Sequence, residues 1–124
     1  TAGDFDFDGK DELAIGLGTY PVRGGYVELK DDAITGYTHK AWTRVPWPAY
    51  NAANGATYPV LYDMFMWGGE TALAIGLGSY PATGGYVETQ VHLYIFGAWI
   101  HNSWARVHWP AYNTSNGETR PGVK

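Results

Sequence analysis

The chain of 124 residues contains no cysteine. Disulfides and thiolate metal centres are therefore excluded, while the redox compartment stays open. Charged residues make up only 16 % and the net charge is −4, so the basic footprint of a nucleic-acid binder is missing. No run approaches the roughly 18 apolar residues of a membrane span. The opening Thr1-Ala2-Gly3-Asp4 reads as interior sequence, and the expectation is a leader removed or never attached. Helical periodicity of any length is also absent. Glycine (17), tyrosine (10), proline (7) and tryptophan (6) are plentiful. That mixture suits short strands joined by tight turns, an all-β composition.

The chain repeats itself. LAIGLGTYPVRGGYVE from Leu13 returns as LAIGLGSYPATGGYVE from Leu73, identical at thirteen of sixteen positions. WTRVPWPAYNAANGAT from Trp42 returns as WARVHWPAYNTSNGET from Trp104. The first block recurs after 60 residues and the second after 62, so the second copy carries two extra residues between them. Duplication at this period marks a repeat architecture. Alternation and turn residues predict strands over 12–16, 25–30, 38–45 and 56–62. Matching strands are expected over 73–76, 85–96 and 98–107, and from 119 onward. Gly24-Gly25 signals a hairpin, and Asn54-Gly55 and Asn116-Gly117 signal turns. The domain division expected is 1–57 for the first unit and 58–124 for the second. Read end to start, ETRPGVK followed by TAGDFDFDGKDE resembles one uninterrupted strand and loop. The expectation is a repeat opened internally, its last strand pairing with the start of another chain.

The strongest chemical motif is Asp4-Phe5-Asp6-Phe7-Asp8-Gly9-Lys10-Asp11-Glu12. Acids at loop positions 1, 3 and 5 turn three carboxylates inward, and Gly at position 6 permits the reversal. A backbone carbonyl at position 7 and an acid at position 9 complete a shell of hard oxygens of the kind calcium prefers. The alternative is an acidic, solvated turn without an ion.

This loop, followed by an apolar strand ending in Gly-x-Gly, resembles FG-GAP repeats. The GGYVE, WxRVPWPAYN and NGETRP blocks resemble a bacterial FG-GAP/VCBS-type branch, and the likeness covers nearly the whole chain. It implies a β-propeller of four-stranded blades, calcium in the blade loops, and binding or adhesion at the cell surface or outside the cell. Carried over by position, it implies Asp4, Asp6, Asp8 and Glu12 as side-chain ligands and Lys10 through its carbonyl. Phe7 departs from the pattern, standing where the family usually has Gly.

The second copy loses the motif. Asp63-Met64-Phe65-Met66-Trp67-Gly68-Gly69-Glu70 keeps only two acids, too few for calcium. A second stretch changes likewise, from KDDAITGYTHKA to QVHLYIFGAWIHNSWA. A preserved framework with two loops turned apolar is what diversification or engineering of an interface produces. Met64, Phe65, Met66, Trp67, Tyr94, Phe96 and Trp99 are thus the expected partner-binding residues. The alternative is that they pack as core against a neighbouring blade. Trp42, Trp47, Trp104 and Trp109, present in both copies, read as core.

Catalytic constellations are weak. His92, His101 and His108 lack zinc-ligand spacing. Ser79, His108 and Asp63 form a triad only by free choice, with no nucleophile elbow. Glu28 and Glu88 are equivalent positions and read as solvated strand residues. The Gly16–Gly18 stretch has no helix behind it to make a phosphate loop.

The expected protein is thus all-β and not an enzyme. Its two four-stranded blades complete a ring by homo-oligomerisation, six blades from a trimer or eight from a tetramer. Its expected role is a binding or self-assembling module with calcium in the first blade. A lectin-like propeller with a glycan ligand is the alternative.

Overall fold

The structure is a computed structural model and describes residues 1–20, 23–64, 70–80, 83–93 and 98–122. It is mainly β. The first antiparallel sheet takes β1 (Ala2–Gly3), β2 (Glu12–Gly16), β3 (Tyr26–Lys30) and β4 (His39–Arg44) in that order. The second takes β5 (Thr57–Met64), β6 (Glu70–Leu77), β7 (Tyr86–Leu93) and β8 (Ala98–Arg106). Each sheet is a meander of neighbouring strands, and neither closes into a barrel. The expected strand over 56–62 forms, but as the first strand of the second sheet. No helix among the described residues is long and apolar enough to cross a membrane.

Two short helices, α1 (Pro48–Ala53) and α2 (Pro110–Ser115), follow β4 and β8. Six residues are too few to display a period in the sequence. Their signal is local instead: proline at the first helical position, where its missing N–H is no loss.

The repeated blocks owe their pattern to one clasp per copy. Asn51 at the buried face of α1 donates its Nδ2 to the Val45 carbonyl at 2.7 Å. The Gly24 amide donates to the Asn51 carbonyl at 3.2 Å, and the Gly25 amide to the Gly55 carbonyl at 2.7 Å. Gly55 has φ 75°, and a Cβ there would lie 2.3 Å from the Gly24 Cα. Backbone therefore packs directly on backbone, which only glycine allows. Asn113, Gly84, Gly85 and Gly117 repeat the arrangement. This explains why GGY, WPAYN and NG persist together in both copies.

The core lies between the sheets. Val27, Leu29, Val45 and Tyr50 from the first copy meet Leu61, Leu73, Ile75 and Leu77 from the second, with Phe5 reaching in from the acidic loop. The Gln90 side chain links β7 to β4, accepting from the Thr43 hydroxyl and donating to the Arg44 carbonyl at 3.1 Å. Thr57 serves both sheets. Its amide donates to Leu17 and its hydroxyl to the Tyr26 carbonyl, while it pairs with Leu77 as the first residue of β5.

The shared tryptophans depart from expectation. Trp47 packs on the core, but Trp42, Trp104 and Trp109 are exposed. Tyr50 and Phe5 take the core positions instead. Trp42 and Trp104 lie on β4 and β8, the last strands of their sheets, so one side of each is open.

Candidate metal site

The acidic loop connects β1 to β2, whose first residue is Glu12. Asp4, Asp6, Asp8 and Glu12 each bring a carboxylate oxygen to within 4.8 Å of the others. The loop winds around its own acids. The Asp8 amide donates to Asp4 Oδ1 and Asp6 Oδ1, both at 3.1 Å, and the Gly9 amide to Asp4 Oδ2 at 2.8 Å. The Lys10 amide donates to Asp8 Oδ1 at 2.9 Å, and its ammonium lies 3.6 Å from Asp8. Phe7 has φ 63°, left-handed backbone in which glycine is at ease and phenylalanine is uncommon. The chain thus keeps at Phe7 a backbone conformation that glycine would adopt freely.

Glu12 is the buried floor of the loop. Its Oε2 accepts from the Phe5 amide at 2.9 Å and the Asp6 amide at 3.4 Å. Its Oε1 is buried with no hydrogen-bond partner. Burial, followed by the neighbouring Asp6 charge, pushes the Glu12 carboxyl up, against the pull of the Phe5 amide. A buried carboxylate oxygen without a partner is costly. A cation at the loop would relieve that cost, so the donor set fits a hard divalent ion.

A resident cation already stands nearby. Lys40, on β4, pairs with Asp6 and lies 3.6 Å from Asp31. Its ammonium is also 5.3 Å from the centre of the Phe5 ring. Burial works to raise the Asp6 carboxyl, but the Lys40 bond and the Asp8 amide outweigh it and hold it low. Asp31 and Asp32 form a second acidic group with Glu12, again within 4.8 Å. Asp32 is committed to capping a short 3-10 turn, accepting from the Ile34 amide at 2.7 Å.

The expected partner-binding residues are mostly out of view. Phe65, Met66, Trp67, Tyr94 and Phe96 lie outside the described residues, and of Met64 only the backbone is described, paired with Glu70. Trp99 is half-buried and turns inward, its ring 5.7 Å from Phe5 and 5.0 Å from His92.

Glu88, expected to be solvated, is fully buried, with Oε1 2.6 Å from His101 Nδ1. Its other oxygen has no partner, and burial pushes its carboxyl up. Glu28 makes the equivalent pair with His39 at 3.0 Å, but also meets Lys30 at 3.1 Å. The signal was available: Glu28 and Glu88, His39 and His101 stand at matching places in the two copies. Lys40 carried no such signal, because the matching position of the second copy is Asn102.

An aromatic cavity of about 510 Å³ opens where the two copies meet, lined by Pro46, Trp47, Tyr80, Thr83, Tyr86 and Trp104. Comparison of the chain with known proteins finds no match among family models, curated proteins or solved structures.

Proposed function

We propose that the chain is a non-catalytic binding or self-assembling module of the FG-GAP kind, two propeller blades with calcium held by the first. The observation that carries this reading is the convergence of the Asp4, Asp6, Asp8 and Glu12 carboxylates, together with the buried, unpartnered Oε1 of Glu12. Four hard oxygens on a loop closed by its own amides are a suitable start for a six- to eight-oxygen calcium shell, with carbonyls and water supplying the rest. Calcium there would neutralise the buried Glu12 and tie the loop to the floor of the sheet. Isothermal titration of calcium into the wild-type chain and into Asp6→Asn/Asp8→Asn tests the reading. Saturable one-site binding, lost in the double variant, is expected. Absence of heat with the wild type, or equal binding by both proteins, overturns it.

The aromatic cavity favours one second reading, a lectin-like module. Exposed faces such as Trp104 beside polar Thr83 and tyrosine hydroxyls suit sugar stacking. A glycan array separates the two: binding abolished by Trp104→Ala would establish the lectin reading, and a blank array would leave the assembly module.

A further inference from the structure

The joint between the two copies inside the chain is a template. On one side of it, Trp47 of the first copy sets its ring 4.8 Å from Tyr80, 5.7 Å from Tyr86 and 6.1 Å from Trp104 of the second. Tyr50 lies beneath, its hydroxyl accepting from the Gly78 amide at 2.6 Å and donating to the Ala56 carbonyl at 2.6 Å. Asn54 donates its Nδ2 to the Ser79 carbonyl at 2.9 Å, with its side chain against Gly78.

Every member of this joint has an equivalent elsewhere in the chain that lacks its counterpart. Trp109, Tyr112 and Asn116 match Trp47, Tyr50 and Asn54, whereas Gly18, Thr19, Tyr20, Tyr26 and Trp42 match the receiving side. Burial records the difference. Val45 is 1 % exposed and its equivalent Val107 is 39 %; Leu77 is 2 % exposed and its equivalent Leu17 is 36 %. Trp109 and Tyr20 are both 62 % exposed. A Cβ at Gly78 would meet Asn54 at 2.9 Å, whereas Gly18 has nothing within 4 Å.

The cavities divide in the same way. The internal joint holds one aromatic cavity. Among the described residues, the free faces hold two smaller ones. One, of about 360 Å³, is lined by Leu17, Tyr20, Arg23, Tyr26 and Trp42; the other, of about 380 Å³, includes Val107, His108, Trp109 and Pro110. Tyr20, Tyr26 and Trp42 match the Tyr80, Tyr86 and Trp104 wall of the internal cavity, and His108 and Trp109 match its Pro46 and Trp47 wall.

We infer that the two free faces bind each other, so that a second copy of this chain is the partner. Trp109 of one chain enters between Tyr20, Tyr26 and Trp42 of the next, and the two half-cavities become a whole one. The contact is head-to-tail, because the two faces differ, and such contacts close into a ring where the rotation between copies permits it and otherwise run on as a filament. The same mode provides an occupant for the β2 edge. β6 is paired to β5 along Leu73–Leu77, whereas the segment from Thr1 to Gly3 covers β2 only from Glu12 to Ala14. Thr119 to Pro121, equivalent to Thr57 to Pro59, would run beside Ile15 to Leu17 of the next copy. This joint gives the assembly half of the proposed module its contact residues and rests on that reading.

Opposite-face variants test it. Light scattering on the wild type is expected to give a mass above one chain, and Trp109→Glu and Tyr20→Glu should each be monomers. Both rings are solvent-exposed in the single chain, so circular dichroism should match the wild type. An equimolar mixture of the two variants retains one intact pair of faces and should have twice the monomer mass. A monomeric wild type, variants of unchanged mass, or a mixture that stays monomeric would overturn the inference. Repeating the series in calcium and in chelator keeps the readings apart. A dimer in both buffers supports the joint whatever the loop binds, and a dimer found only in calcium supports both.

Discussion

The Lys40 ammonium is bonded to the Asp6 carboxylate across 34 residues of sequence, which places a protein cation beside the acids proposed to hold a metal. Lysine would therefore compete with the proposed calcium for one oxygen set. A partly exposed ion pair contributes about 0.2–1 kcal/mol, and about 1.4 kcal/mol is a factor of ten in affinity. Replacing Lys40 by Met should raise calcium affinity about 1.4- to fivefold in the titration. Unchanged affinity would mean that Lys40 does not oppose the ion.

Tyr50 and Tyr112 are the same residue in two settings. The Tyr50 phenol is buried and pushed up to about 12, and it satisfies the Gly78 amide across the internal joint. Tyr50→Phe strands that buried N–H and should cost about 1–3 kcal/mol in denaturant unfolding. The half-buried Tyr112 hydroxyl donates to the Glu118 carbonyl of its own copy at 2.6 Å. In the monomeric Trp109→Glu background, Tyr112→Phe should cost less, about 0.5–1.5 kcal/mol for one hydrogen bond. Equal losses would contradict the asymmetry of the two joints.

The Gly24–Gly55 contact leaves no room for a methyl group. Gly55→Ala combines a left-handed backbone costing about 1–2 kcal/mol with overpacking of about 1–3 kcal/mol. A loss of roughly 3 kcal/mol in urea unfolding is expected in the monomeric Trp109→Glu background, against little change there for Gly18→Ala, where a Cβ meets nothing within 4 Å.

His92 supplies a pH dependence. It is buried against Phe5 and Trp99, and burial, followed by the Lys40 charge, holds it below the ordinary 6.5 in spite of Asp6. The unfolded chain therefore takes up this proton first. Stability from His92 is fully present above pH 6.5 and falls as pH drops below it, until the folded imidazole also titrates. The slope of stability between pH 7 and 5 should be smaller in His92→Phe than in the wild type. Parallel slopes would remove His92 from the account.

Much of this architecture is legible in the residues themselves. Strands β2 to β4 lie within a residue or two of where alternation and turn chemistry place them. The acids of the loop converge as their spacing implies. Legibility fails where a residue's meaning depends on a distant neighbour. The exposed tryptophans look like core because a large ring does not declare what covers it. Glu88 looks solvated because strand alternation cannot foresee its burial beside His101 of β8. The helices escape because six residues span less than two turns.

Thr57 belongs to both sheets, and this separates the unit that was copied from the unit that folds. The first sheet uses it as a closing bond and the second as its opening residue. A gene fragment ending just beyond it would encode the first clasp complete, while the remainder would lack the full register of β5. Functional recombinants should therefore be recovered from breakpoints within the connections between strands, which keep each borrowed strand with its host.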